Sequence, residues 1–286
     1  MRMRWRLVVV AALVGVLGAC GSTPSPSGSS GPQGSSQLDK VQAAGVLRIC
    51  ADPEWVPALY KDESGQITGF LWAIADKMAS ELKVKLEWVE SNWDGVLPGL
   101  QSGKCDMLMT SMTAKPARTL AVTFAKPDQI FSLGLLVRAN DTRTKIEEFN
   151  TPDTTFCVQQ NTLEETAVAK WFPKAQVTKL PNTTDCLLAV QANKAHAKPT
   201  DNIIGGKYAQ DHPEVKMILT GVQGLGYIPS NSAVPKNDWV FKNYIDTFIM
   251  TLINEGDYKT LYEQYVGLPF TSADLQELML QRGNTP

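Results

Sequence analysis

The chain predicts an α/β fold in two lobes, and three observations carry that expectation. Short apolar strands alternate with helical patterns from Val46 to Met109. The same alternation starts afresh between Phe156 and Ala192. Between them, Phe131 to Val137 is an apolar run with Gly134 inside it, suited to a strand that crosses from one lobe to the other.

Taken in order, Val46-Leu47-Arg48-Ile49-Cys50 is a strand stopped at Asp52-Pro53, and Gly65 and Gly69 bracket a turn. Ile74, Met78 and Leu82 recur at helical spacing, whereas Val84, Leu86 and Trp88 alternate as a strand. Asp94 is the expected cap of a short helix carrying Val96, Leu97 and Leu100. Met107-Leu108-Met109 is a strand that runs into the polar cluster Thr110-Ser111-Met112-Thr113. In the second pattern, Phe156-Cys157-Val158 and Gln176-Val177-Thr178 are strands, and Glu164 to Lys170 and Cys186 to Ala192 are helices. The chain returns near Gly226-Tyr227-Ile228. Trp239, Tyr244, Phe248 and Leu252 then mark a long amphipathic helix, with a shorter one from Tyr258 to Tyr265.

Arg2, Arg4 and Arg6 precede an apolar run from Leu7 to Ala19, and Gly, Ser and Pro dominate from Gly21 to Ser36. This reads as an export signal rather than a membrane span, because about thirteen helical residues cannot cross about 30 Å of hydrocarbon. The stretch after Cys20 has too little apolar surface to offset the entropy of ordering it, and reads as a flexible tether. Roughly 270 residues follow the signal, enough for two lobes or one large domain. The formal net charge is -2. With no basic block and no interleaving of basic and aromatic residues, a nucleic-acid partner has no support.

Of the five cysteines, Cys20 belongs to the signal. The others lack the close paired spacing of a thiolate metal site, and the only histidines are His196 and His212, so neither metal nor cofactor is expected. Export permits disulfides. Cys157–Cys186 is the preferred pair; the alternative is four buried free thiols acting as small hydrophobes.

The small-residue site ending in Cys20 resembles the lipobox of bacterial lipoproteins, in which that cysteine becomes the lipidated first residue. From about Val41 to Leu268 the chain resembles the extracellular solute-binding proteins, family 3, of polar amino-acid ABC transporters. The likeness rests on Asp52-Pro53-Glu54-Trp55-Val56-Pro57, Gly69-Phe70, Trp93-Asp94-Gly95-Val96-Leu97-Pro98 and Met112-Thr113-Ala114-Lys115-Pro116-Ala117-Arg118. It continues in Val158-Gln159-Gln160-Asn161-Thr162, Thr200-Asp201 and Gly256-Asp257-Tyr258-Lys259. No single motif is decisive; their order and spacing together carry the resemblance.

The resemblance implies a periplasmic-binding-protein-like type II fold, two α/β lobes joined by two crossing strands. Residues 1–19 are then the lipoprotein signal, 20–40 the tether, 41–133 the first part of lobe 1, 134–226 lobe 2, and 227–286 the return to lobe 1 with a C-terminal tail. It also implies roles. Arg118 would grip a ligand carboxylate through its planar fork, a geometry lysine lacks. Thr113 and Ser111 would add donors nearby, or else cap a helix. Asp201 would receive the ligand ammonium, or else cap the segment beginning at Asn202. Trp55 and Trp93 would sandwich the ligand side chain, Thr162 would approach the carboxylate from the start of a lobe-2 helix, and Asp52 would order the site edge or touch the ammonium. Trp72 is assigned to helix packing.

Several residues depart from the family pattern. Leu71 and Ala73 stand where an acidic pair is usual, Asn161 where a glycine opens the lobe-2 loop, and Leu163 where a small hydroxyl residue is common. Asn193-Lys194-Ala195-His196-Ala197 stands where Gly-Arg-Val-Asp-Ala is common, and aliphatic strand residues are expected near Lys198; Lys198 is expected to stay solvated at the lobe edge, the alternative being contact with an acidic ligand side chain. The implied function is capture of a free L-amino acid and its delivery to an ABC permease by a monomer that closes two lobes about the ligand while anchored by lipid to the outer side of the cell membrane. No catalytic residues are expected, as no Ser–His–Asp or Cys–His arrangement is evident. The alternatives are a small-acid lyase or dehydratase on the same fold, or a ligand sensor for a membrane receptor.

Overall fold

The computed structural model describes residues 35–219 and 227–283. The signal 1–19, Cys20, tether residues 20–34 and the expected point of return at Gly226 lie outside them. Helix α1 (Gln37–Ala44) starts within the stretch expected to be tether. Ser36 caps it by accepting from the Leu38 N–H, and Asp39 reaches back to the Ser36 N–H, a pair of local bonds that the low-complexity composition conceals.

Lobe 1 continues with β1 (Val46–Ala51), a small three-stranded sheet of β2 (Glu54–Trp55), β3 (Leu59–Lys61) and β4 (Ile67–Thr68), then α2 (Phe70–Leu82), β5 (Lys85–Glu90), α3 (Trp93–Gln101), β6 (Met107–Leu108), α4 (Pro116–Thr119) and β7 (Val122–Phe124). Gly69 enters α2 at φ 115, and a side chain there would meet the carbonyl oxygens of Ala58 and Pro57 at 2.6 and 2.7 Å, so only glycine fits. Helix α2 buries Leu71 and Ala73 together with Ile74 and Met78. The departure at 71 and 73 is therefore core packing. Helix α3 is capped by Asn92, whose side chain accepts from the Gly95 N–H, and not by Asp94, which lies one residue inside the helix start and points elsewhere.

The long strand β8 (Gln129–Arg138) joins the lobes. Lobe 2 adds β9 (Thr155–Gln159), α5 (Leu163–Trp171), β10 (Gln176–Leu180), α6 (Thr183–Gln191), β11 (Ala197–Asp201), α7 (Asn202–Asp211) and β12 (Val215–Ile218). The chain returns through β13 (Tyr227–Ser230), β14 (Ala233–Pro235), α8 (Trp239–Glu255), α9 (Asp257–Val266) and α10 (Ser272–Gln281). The lobe-1 sheet has the order β5-β1-β6-β14-β7, so a strand from the returning chain sits inside it; the lobe-2 sheet runs β10-β9-β11-β8-β12. Strand β8 pairs antiparallel with β13 up to Ser132 and with β11 from Leu133 onward. This change of partner marks where the chain passes between the lobes, and it supplies the two crossing strands. The result is the type II periplasmic-binding architecture.

Cys157 and Cys186 are joined, tying β9 to α6, and Cys50 is joined to Cys105, tying β1 to the loop before β6. The second pair was not expected from the sequence. Loops of 29 and 55 residues imply about 3.5 and about 4 kcal/mol of stabilisation on chain-entropy grounds. Reduction is expected to lower the melting temperature by roughly 10 °C or more, read by calorimetry with and without reductant; an unchanged melting temperature would remove the bridges from the account of stability.

Candidate functional site

The expected site residues fall at or just beyond the carboxyl ends of strands, where open α/β sheets leave their crevices. Asp52 follows β1, Ser111 and Thr113 follow β6, Thr162 follows β9, and Asp201 ends β11. A cavity lies between the lobes. From lobe 1 it is lined by Trp55, Trp93, Ser111, Thr113 and Arg118, and from lobe 2 by Thr162 and Asp201. Of the expected residues only Asp52 is absent from the wall. Its carboxyl is buried, near Glu54 and the Trp93 backbone N–H, and burial pushes its pKa up to about 7, with repulsion from Glu54 adding to the rise. Leu163, noted in the sequence as a departure from the family pattern, completes the wall with Glu164, Phe131 and Ile228, and none of these last three was singled out as a site residue. For Glu164 the signal was its position in the first turn of a helix whose start faces the crevice; an acidic residue there is so common in helices that it attracted no notice.

Arg118 stands at the centre of lobe 1's contribution. One terminal nitrogen donates to the Thr113 carbonyl (2.9 Å) and the other to the Asn161 carbonyl across the cleft (2.7 Å). The guanidinium also lies 5.4 Å from the Trp93 ring centroid. Burial lowers its pKa and Glu164 opposes that fall, but a guanidinium remains charged at any physiological pH. Its five N–H donors exceed the two protein bonds, which leaves capacity for an anion in the cavity.

The Ser111 hydroxyl donates to Gln129 Oε1 at 3.0 Å, and the residue has φ 53, so what remains for a ligand is chiefly its backbone. Thr162 caps α5; its hydroxyl donates to the Gln159 carbonyl and its own carbonyl accepts from Lys115 Nζ. Trp55 and Trp93 do not sandwich a slot. Their centroids are 5.8 Å apart with planes at 51°, closer than two rings could stand with an aliphatic chain between them, because ring-to-carbon contact needs about 3.5–4 Å on each side. They form one aromatic corner instead.

Asp201 caps α7, with Oδ1 accepting from the N–H groups of Ile203 (2.9 Å) and Ile204 (2.8 Å). The cap is thus present, and it leaves room for the other reading, since a carboxylate can cap a helix through one oxygen and face a cavity with the other. Burial pushes its pKa up to about 6, opposed first by the Ile204 N–H, and Glu164 adds to the rise. Lys198 is not solvated at the lobe edge. It is 1 % exposed, its Nζ donates to the Pro199 carbonyl, and burial lowers its pKa against the pull of Glu164 and Asp201. A buried ammonium in a strand is tolerated because two carboxylates stand near it. Among the described residues there is no group of His, Cys, Asp and Glu able to hold a metal ion.

The pattern of the bacterial extracellular solute-binding proteins, family 3, matches residues 47–268. A probable histidine-binding protein of Campylobacter jejuni is 29% identical over 77% of this chain and 84% of its own length. The crystal structure of AncCDT-1, an ancestral amino acid-binding protein described as a precursor of cyclohexadienyl dehydratase, is 31% identical with a TM-score of 0.74, covering 81% of this chain and 100% of its own. An amino acid ABC transporter substrate-binding protein of Streptococcus pneumoniae, bound to L-arginine, is 25% identical with a TM-score of 0.74, covering 83% of this chain and 100% of its own.

Proposed function

Since the chain belongs to the bacterial extracellular solute-binding proteins, family 3, we propose that it captures a free L-amino acid outside the cytoplasm and delivers it to an ABC permease by closing its lobes. One observation carries the reading: a cation of lobe 1, Arg118, and an anion of lobe 2, Asp201, line the same cavity from opposite sides. A molecule bearing both a carboxylate and an ammonium satisfies both at once only when the lobes are together, so binding and closure are linked. Lipidation at Cys20 would keep the body beside its membrane partner, acting as a monomer. The lipobox-like sequence supports the anchor.

The ligand class that fits is a basic amino acid. Glu164 joins Asp201 on the cavity wall, and beside the site Glu54 has a buried carboxylate oxygen with no hydrogen-bond partner among the described residues. Burial raises the Glu54 pKa, and Asp185 of lobe 2 adds to the rise. A ligand with a second positive charge would relieve that crowding of acids. The similarity to a structure holding L-arginine points the same way. Calorimetric titration is expected to show arginine, lysine or histidine binding at least about 30-fold more tightly than glutamate or glutamine, the scale of one charged contact. Tighter binding of an acidic or neutral amino acid would overturn the charge assignment.

The similarity to a precursor of a dehydratase keeps an enzymatic reading in view. Asp201 Oδ1 is held as an acceptor by two backbone N–H groups, an arrangement that suits holding a cation. Recovery of bound ligand chemically unchanged supports a carrier, and accumulation of a dehydrated product would replace it.

A further inference from the structure

We propose that Asp94 of lobe 1 and the adjacent amides Gln160 and Asn161 of lobe 2 form a latch across the cleft that needs no ligand, and that this latch lengthens the time a ligand stays bound. The inference rests on the amino-acid-binding reading for its kinetic consequence, but not for the latch itself. Asp94 Oδ1 accepts from Asn161 Nδ2 at 2.9 Å, and Asp94 Oδ2 accepts from Gln160 Nε2 at 2.7 Å. One carboxylate thus holds two neighbouring side chains of the other lobe, by charge-assisted bonds. None of the three residues lines the cavity, so the contact is made by protein alone and does not await a ligand.

The residue type at 161 fits this role. Asn161 has φ 62, in the left-handed region where glycine is free of strain and where asparagine is the side chain most readily tolerated. A glycine would serve the turn equally well but has no amide to offer Asp94. Asp94 is in turn well placed to be the acceptor. It lies in the first turn of α3, where the helix dipole favours a negative charge, and Asn92 has taken over the capping task that would otherwise occupy it. The same loop is drawn to lobe 1 by its backbone, since the Asn161 carbonyl accepts from Arg118 and the Thr162 carbonyl from Lys115 Nζ at 2.8 Å. The side-chain latch and the backbone contacts therefore converge on residues 160–162.

A device of this kind acts on the open–closed equilibrium and hence on release. Escape requires these bonds to break, and because the latch also closes the free protein, breaking it raises the open fraction that a ligand meets, so association should stay level or quicken in step with that fraction. Two exposed, charge-assisted bonds correspond to about a 10-fold shift in the closed-to-open ratio.

The test compares the full chain with a Gln160→Ala, Asn161→Gly double variant, which keeps the positive-φ backbone, and with Asp94→Ala. Stopped-flow dissociation of L-arginine is expected to be about 10-fold faster in the double variant, with association no slower than in the parent and at most about 10-fold faster. Asp94→Ala should show the same change, and adding it to the double variant should change nothing more, because one interaction cannot be lost twice. Small-angle scattering of the ligand-free proteins should show a larger radius of gyration in all three variants. Unchanged dissociation and unchanged scattering in the double variant, or an Asp94→Ala effect that adds in full to it, would overturn the latch. If the parent binds no amino acid, the functional reading fails, whereas scattering on the free proteins still decides whether the latch exists.

Discussion

Replacing Arg118 with alanine is expected to weaken amino-acid binding by at least about 100-fold while moving the melting temperature by less than about 2 °C. The size of the effect follows from what the guanidinium faces. It is half-buried beside Trp93, where a ligand carboxylate cannot recover in water what it loses on leaving the fork, and removal of one partner from such a pair costs about 2–5 kcal/mol. The bonds to the Thr113 and Asn161 carbonyls serve to aim the fork, and alanine leaves those carbonyls to water at the cleft, which is why the fold should survive. Lysine at 118 is not expected to restore affinity, since a single ammonium cannot serve two carbonyls and a carboxylate in one plane. Titration calorimetry decides the matter. Affinity within about threefold of the parent would show that the carboxylate is held elsewhere.

Strands and helices with a clean apolar period were legible in the sequence, and the elements that lacked one were not. Helix α2 shows its buried face at Ile74, Met78 and Leu82, and residues 133–137 of β8 show the uninterrupted apolar character of a strand covered on both sides. Strand β11, with sequence Ala-Lys-Pro-Thr-Asp, contradicts strand propensity, yet all five residues are buried. Pro199 stays in register with Leu135 of β8, and on the other side β11 pairs with β9 only at Ala197, so that edge has little ladder for a proline to interrupt. Helix α7 carries Gly205 and Gly206; Gly205 lies against Met217 and Thr200, so close packing rather than helix propensity selects it.

The site divides along the same line. Residues whose chemistry is tied to a motif, such as Arg118 six residues after Met112, were legible, and the structure lines one cavity with them. What depended on packing in three dimensions was not. The mutual tilt of Trp55 and Trp93, the inward course of Lys198 and the place of Glu164 on the wall are set by which helix covers which strand. The Cys50–Cys105 pair is similar: 55 residues separate partners that meet only because β1 and β6 are neighbours.

Asp201→Asn separates the two tasks of the acid in lobe 2, and its effects on binding and on stability should have opposite signs. Asparagine is as good a helix cap as aspartate, so the bonds from Ile203 and Ile204 can persist while the charge is lost. Binding should weaken by roughly 30-fold or more, the loss of a charge-assisted bond to the ligand ammonium. Stability should rise. In the parent, burial holds the pKa up to about 6, above the ordinary 3.8, with Glu164 acting in the same direction and the two backbone N–H groups and Lys198 opposing it. A carboxyl whose folded pKa is raised contributes stability that is full below the unfolded value and is lost as pH rises through the folded one. At neutral pH the parent therefore carries an ionised group it would rather keep protonated, and the variant is relieved of it, by about 2–4 °C in melting temperature. The ligand has the contrary preference, because an ammonium needs the ionised form. Parent affinity should be level above about pH 7 and fall by up to about tenfold for each pH unit below about 6, and that fall should be absent from the variant. Two other buried carboxyls add to the pH dependence of stability that the variant keeps: Asp52, which burial and Glu54 push up to about 7 and which stands off the cavity wall, and Asp128, which burial pushes up to about 6. Calorimetric titrations and melting curves from pH 5 to 8 on both proteins measure all of this. A variant that binds as tightly as the parent, or whose affinity falls with acid in the same way, would take the ammonium contact away from Asp201.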